Sequence, residues 1–465
     1  MAKDKLFDTL KNERPGILEK KVVPLEGDAA ELNLGMSEED RSIVKESVSV
    51  IYHVAASVRF DDHLKKAILL NTRGTRELAQ LALETRHLAV LVHVSTTYCN
   101  CVVGTEIGEQ FYPPPTDWRE AITVAEQFDE AQLAYLTSMY LGAYPNTYTF
   151  TKALGEHVIK DMCEGRIPTI VVRPSIVIST YKDPVEGWID NFNGPVGLLV
   201  ACGKGLLRMT YLDKDIIADY IPVDLVGKII IISSWDLALR QNREQVEVMH
   251  ASSNYHLWST IGEIINMGRE ISREIPMNDM IWVPKGSVTK CKYFAYFNTI
   301  FFHLLPALFL DCFIKLSGNK PILGRLQTKI FNASFILRYF TFQAWQFAHD
   351  KMFDLLERIE ETDKSNWNYD YRSADVEIYF RNCMIGTRRY LLNEPDNTLP
   401  AARVHYRRMY WLDKVTMFFY WSFIVWAVYK LDIINVVCGV TRVTLVNLQL
   451  EVSSLHAGSL TKRVW

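Results

Sequence analysis

The chain has 465 residues, 49% apolar and 23% charged, with a net charge of −3. That is enough for two or three domains with a sizeable core. A near-neutral balance offers no basic face for a phosphate backbone, so no nucleic-acid partner is expected.

The N-terminal stretch MAKDKLFDTLKNERPG is charged from its start and has no apolar run, unlike a signal peptide. The first readable strand is KKVVPLEGD (20–28), closing in a Gly27-Asp28 turn. The near-continuously apolar runs VSVIYHVAA (48–56), LAVLVHVS (88–95) and PTIVVRPS (168–175) fit strands buried on both faces. Between the first two, residues 63–85 carry Leu64, Ala67 and Ile68, then Leu78, Leu81 and Ala82, at helical spacing. Residues 219–235 read as an approach loop and a helix that starts after Asp224. Strands alternating with helices predict a parallel, doubly wound, Rossmann-like α/β sheet over residues 1–285.

From about residue 288 strand-like runs give way to aromatic-rich helical patterns at Phe301–Leu316, Ile336–Ile359 and Val376–Asn393. This predicts a helical second domain over 286–430, with the boundary near the Pro- and Gly-punctuated IWVPKGSVTK (281–290). The tail over 431–465 has weak periodicity and is left unassigned. Two apolar runs, Tyr293–Phe309 and Val415–Val428, suit either a membrane or a buried core helix. Aromatic enrichment favours a membrane interface, and Arg403, Arg407, Arg408 and Lys414 before the second run place the preceding domain on the cytosolic side. The eight cysteines form no CxxC pair and the histidines no HExxH spacing. Free thiols and no metal site are therefore expected.

Chemistry is carried by YPNTYTFTKALGEH (144–157). Tyr148 and Lys152 stand one helical turn apart and share a face. An ammonium beside a phenol favours the phenolate and lowers its pKa, which makes the hydroxyl a usable general acid. Alone, a YxxxK spacing is more often helix-face packing. Upstream, the strand 88–95 ends in Ser95-Thr96-Thr97, where ligands bind in open α/β sheets. A hydroxyl there can donate to a developing oxyanion. Ala55-Ala56 and Arg173-Pro174-Ser175 end two further strands, and Asn71 lies on a helix beside them. Each has a bland reading by itself; the ordered set does not.

That set resembles the extended short-chain dehydrogenase/reductases, and within them the fatty acyl-CoA reductases. LEGDAAELNLGMS, VIYHVAASVRFD, HVSTTYCN, YTFTKALGE, VVRPSIV, GWIDNFNGPVG and ADYIPVDLV follow in family order, and NWNYDYRS and GTRRYLL are similar to the C-terminal male-sterility domain. The resemblance implies NADPH-dependent reduction of a long-chain acyl-CoA to a fatty alcohol, by way of a hemithioacetal and an aldehyde. It implies Tyr148 as proton donor, Lys152 as its partner, and Thr97, or failing that Ser95, as the third group. It implies Asp28, Ala55 and Ala56 on the adenine and phosphate side of the cofactor. Asn71 would steady a proton-relay water, and Pro174, Ser175, Ile176 and Val177 would lie beside the nicotinamide. Membrane lipid of the endoplasmic reticulum or peroxisome is the implied surroundings, with the catalytic domain facing the cytosol. Lys204 and Arg208, in CGKGLLRM, are candidates for the CoA phosphates, although solvated surface charge is the commoner role.

The sequence departs from the family in one respect. Relatives open with a strand running into GxxGxxG, yet before Asn71 this sequence has only Gly16, Gly27 and Gly35, without that spacing. The strand 20–28 corresponds to the family's third, so an N-terminal truncation of the fold is expected. Weak NADPH binding follows, because the glycine turn and its helix N-terminus normally hold the pyrophosphate. The alternative function is a non-catalytic, membrane-associated acyl-CoA-binding isoform.

Overall fold

The computed structural model describes residues 5–240, 244–253 and 259–430; the tail 431–465 lies outside the described residues. Four parallel strands form the central sheet: β1 (Val50–His53), β2 (Val90–Val94), β3 (Thr169–Pro174) and β4 (Glu247–Ala251), adjacent in that order. Successive residues of a strand point to opposite faces. Val90, Val92, Ile170 and Val172 therefore fill one face while Leu91 and Val171 fill the other, and all six are buried. Coverage of both faces explains why these strands read as unbroken apolar runs.

Helices α1 (Gly74–Glu84) and α2 (Thr147–Cys163) cover one face through Ala79, Ala82, Ile159 and Cys163. Helix α3 is Pro195–Gly203, and α4 (Val223–Leu239) covers the other face through Leu225, Val226, Ile229 and Ile232. Helix α5 spans Ile261–Glu274 and starts in a Thr260–Glu263 capping box. Helices α6 (Lys292–Leu316) and α7 (Leu399–Lys430) complete the frame used below. The predicted helix at 63–85 forms, with a wide π-turn over Ile68–Arg73 between Leu64–Ala67 and α1.

The expected first strand does not form. Residues 22–28 have no sheet partner, and Val23 is 77% exposed. β-branched content cannot hold a strand that has no neighbouring edge to bond. The loop after it docks on α1 instead. Asn33 N–H donates to Glu77 Oε2 at 2.8 Å, and a Cβ at Gly74 would stand 2.3 Å from the Ala29 carbonyl oxygen, so only glycine admits this approach.

The C-terminal region is largely helical, but it pairs with the preceding region in small two-stranded sheets apart from the central one. Gln346–Phe347 pairs with Glu106–Ile107, and Ser287–Thr289 with Met209–Tyr211. Met352, Leu355, Tyr369 and Tyr371 join the core cluster beneath β2 and β3. The expectation of one helical stretch over 336–359 is corrected: Leu323–Ile336, Arg338–Thr341 and Asp350–Glu357 are separate helices with a short strand between the last two. Helix α6 is long and apolar enough to cross a membrane. Both α6 and the second half of α7 turn large apolar side chains outward, among them Phe301, Phe309, Phe313, Trp421, Phe423 and Trp426.

Candidate active site

Helix α2 begins where the Asn146 side chain accepts from Thr149 N–H at 2.9 Å. This start sets Tyr148 in the first turn, Lys152 in the second and Glu156 in the third, one stripe at i, i+4, i+8. The stripe faces the C-terminal ends of β2 and β3, the usual ligand crevice of an open α/β sheet.

Tyr148 is partly exposed, and its ring stacks on Phe60 with centroids 5.5 Å apart. Burial pushes its phenol up to about 12, against a hydrogen bond with the Thr96 hydroxyl. Lys152 does not bring the phenol down: its ammonium donates to the Val94 carbonyl oxygen at 2.6 Å. Burial lowers Lys152 to about 8, resisted by the Glu156 carboxylate and by Cys99. The expectation of a lysine-depressed phenol is thus corrected, because desolvation outweighs a cation that is directed elsewhere.

Glu156 and Arg173 form a buried ion pair with Nη2–Oε2 at 2.7 Å and Nε–Oε1 at 2.8 Å. Burial alone would raise the Glu156 carboxyl; the Arg173 guanidinium overrides it and holds it below the usual range. Arg173 also donates to the carbonyls of Gly108 and Gln110. Every strong donor of the guanidinium is therefore engaged, as a buried charge requires. The pair ties α2 to the end of β3. Beside it, His53 and His93 meet across β1 and β2, Nδ1 to Nδ1 at 2.9 Å. Burial, then the Lys152 charge, lowers both, His53 to about 3.

The three hydroxyls after β2 point differently. Thr96, extended at φ −152°, reaches Tyr148. Thr97 is fully buried and its hydroxyl has no hydrogen-bond partner among the described residues. Ser95 lies against the Cys99 thiol and the Glu156 carboxylate. The residue beside the phenol is Thr96, between the two that the sequence reading favours. Strand alternation continues two residues past Val94, the end of β2, and that is the signal that could have found it. Glu156 had a signal too, as the third member of the Tyr148–Lys152 stripe.

Asn71 sits in the π-turn and clamps the loop after β1: its side chain accepts from Ser57 N–H at 2.8 Å and donates to Ser57 O and Thr151 Oγ1 at 3.1 Å. Ala55 is exposed and Ala56 half-buried in that loop. Pro174 ends β3; Ser175 is buried with no partner for its hydroxyl among the described residues, and Ile176 and Val177 start the short strand Ile176–Ile178. Asp28 is apart from these. It closes its own turn, accepting from Ala30 N–H at 2.8 Å. Lys204 bonds Glu394 Oε1 and Asn278 O, both at 2.6 Å, and Arg208 lies over the Trp282 ring. Both cations of CGKGLLRM are thus engaged internally, which corrects their reading as ready phosphate ligands.

From Tyr148 an apolar cavity of about 200 Å³ runs beneath α3, lined by Tyr98, Ile176, Leu199, Ile264 and Phe340 among others. The Tyr148 phenol thus stands in the wall of a largely apolar space.

Two family models, both described as male sterility protein, match residues 1–230 and 302–394. Fatty acyl-CoA reductase 1 of Rattus norvegicus is 35% identical over 408 residues, 87% of this chain and 78% of the relative. Fatty acyl-CoA reductase wat of Drosophila melanogaster is 34% identical over 407 residues, 88% and 78% respectively. Among solved structures, the terminal R domain of the myxalamid PKS-NRPS pathway shares the fold, with a TM-score of 0.51 at 16% identity over 82% of this chain and 77% of that one. On the strength of these matches the chain belongs to the fatty acyl-CoA reductase family.

Proposed function

We propose that this chain reduces long-chain fatty acyl-CoA to a fatty alcohol with NADPH, through a hemithioacetal and then an aldehyde. The observation that carries the reading is Tyr148, paired with the Thr96 hydroxyl, in the wall of an apolar cavity.

The nicotinamide end fits the residues present. The buried Ser175 hydroxyl lacks a partner among the described residues, and the Lys152 ammonium stands at the end of β2. With Tyr148, Pro174, Ile176 and Val177 they would hold the ribose and ring. The pyrophosphate end fits poorly: among the described residues no strand passes through a glycine-rich turn into a helix. Asp28, Ala55 and Ala56 would serve there, with Asn71 fixing their loop through Ser57.

When bound, the cofactor supplies hydride to the carbonyl carbon. The chain's own residues manage the oxygen. At neutral pH a phenol near 12 keeps its proton, so Tyr148 donates it to the oxyanion as charge develops. Thr96 adds a second hydrogen bond, worth more in a dry cavity than in water. Lys152, still cationic below about 8, steadies that charge. Thioester and aldehyde develop the same oxyanion, so one set of donors serves both steps. Outward apolar faces on α6 and α7 would seat the protein on a lipid membrane with the sheet on the cytosolic side.

The poor fit at the pyrophosphate end favours one second reading, a membrane-bound acyl-CoA-binding protein without hydride transfer. Titrating the purified chain with NADPH, followed by quenching of its eleven tryptophans, decides between the two. Saturable binding with acyl-CoA-dependent loss of NADPH supports the reductase. A folded protein that binds acyl-CoA and no NADPH supports the second reading.

A further inference from the structure

The cavity at Tyr148 has a neighbour. A second apolar cavity of about 100 Å³ lies beyond it, bounded by Met277, Phe380 and Met384. Leu199, Cys202, Ile264 and Ile265 line both spaces, so a single layer of side chains separates them. Leu199 is itself 37% exposed, a side chain with room to turn aside.

Gly268 lines the second cavity from the middle of α5. A glycine inside a helix is destabilising relative to alanine. At Gly386 close backbone contact accounts for glycine, since a Cβ there would stand 1.7 Å from the Gly187 carbonyl oxygen. At Gly268 a Cβ would meet nothing within 4 Å, and the backbone is ordinary helix. Neither packing nor conformation demands glycine there. What its missing side chain leaves is cavity.

We infer that the second cavity is a distal subsite for the terminal methylenes of a long, unbranched acyl chain, and that Gly268 sets its depth. The inference rests on the acyl reading of the cavity at Tyr148. A chain entering past Tyr148 fills the first space, displaces Leu199 and Cys202, and places its methyl end against Met277 and Phe380. Chains too short to reach the dividing layer never touch Gly268. Each methylene buried multiplies affinity by about fourfold, so blocking the subsite penalises long chains in proportion to their excess length.

The test is competition of dodecanoyl-, hexadecanoyl- and eicosanoyl-CoA against cis-parinaric acid fluorescence, on the full chain in detergent, wild type against Gly268→Leu. Binding needs no cofactor, so the result is independent of hydride transfer. Expected for Gly268→Leu is dodecanoyl-CoA affinity within about twofold of wild type and eicosanoyl-CoA weakened about tenfold or more. The companion Gly268→Ala, which replaces glycine by a better helix former, is expected to raise Tm and to weaken the longest chain by a smaller factor in the same order. An unchanged length profile in both variants, with wild type binding all three, overturns the distal subsite alone. Failure of wild type to bind any acyl-CoA overturns the acyl reading of the first cavity and the subsite together.

Discussion

The two ends of the sheet crevice are built to different standards. At the nicotinamide end, α2 is held by a cap, the Lys152–Val94 bond and the Glu156–Arg173 pair, all inside the fold. At the end proposed for the pyrophosphate, β1 is an edge strand with Tyr52 exposed, as is Val54 just after it, and residues 22–28 lie unpaired outside the sheet. The lesson is that a catalytic group can be fixed by its own helix and two strand ends, whereas a phosphate cradle needs a dedicated turn.

The sharpest way to break this contrast is chemical. Tyr148→Phe keeps the ring stacked on Phe60 and removes only the donor. Reduction should fall by about 10²–10⁴-fold with acyl-CoA affinity unchanged; retained turnover would take Tyr148 out of its role. Next comes stability. Arg173→Met leaves the Glu156 carboxylate buried and unpaired, which should cost about 3–5 kcal/mol, whereas Val23→Ser on the unpaired stretch should stay within about 0.5 kcal/mol. Urea melts of the two variants measure this directly, and equal losses would show that both ends are equally structural.

Acid should act on the buried histidines of the sheet. His53, His93 and His250, the last a β4 residue whose Nε2 meets Arg173 Nη1 at 3.2 Å, all have lowered pKa values, chiefly by burial. The unfolded chain therefore takes up protons that the folded chain refuses. Stability should fall as pH drops from about 6.5 toward 3, by up to about 1.4 kcal/mol per pH unit for each histidine. His93→Gln should flatten that slope in a pH series of melts. Turnover should also decline as pH rises through about 8, where Lys152 loses its proton. A flat profile from pH 7 to 9 would remove Lys152 from the electrostatics of the step.

The smallest effect separates neighbouring hydroxyls. Thr96→Val should lower turnover about tenfold or more by removing one oxyanion donor, while Thr97→Val, inside the fold, should change it little. The reverse ranking would restore Thr97 as the partner of Tyr148. If the outward apolar faces of α6 and α7 meet lipid, the chain should sediment with vesicles and resist high salt, and detergent should release it. Release by salt alone would assign the contact to charge.

Much of this was legible in the sequence. Strands β2 and β3, the helix that carries Tyr148 and Lys152, and the family itself follow from unbroken apolar runs, a four-residue spacing and ordered motifs. These are local properties, fixed by the period of a strand or a helix. The failures share one cause. Residues 20–28 have strand composition, yet a strand exists only with a partner edge. Ile336–Ile359 reads as one helix, yet Gln346–Phe347 leaves helical geometry to pair with Glu106–Ile107, some 240 residues away. The phenol's pKa is read from a neighbour in sequence but is decided by desolvation from distant segments. The choice of Thr96 over Thr97, the burial of Glu156 with Arg173, and the two adjoining cavities all depend on where distant segments meet. The sequence by itself determined the elements and the chemistry available to them. Only the tertiary structure decided which donors face the substrate space, because desolvation and hydrogen-bond direction arise between segments and not within them.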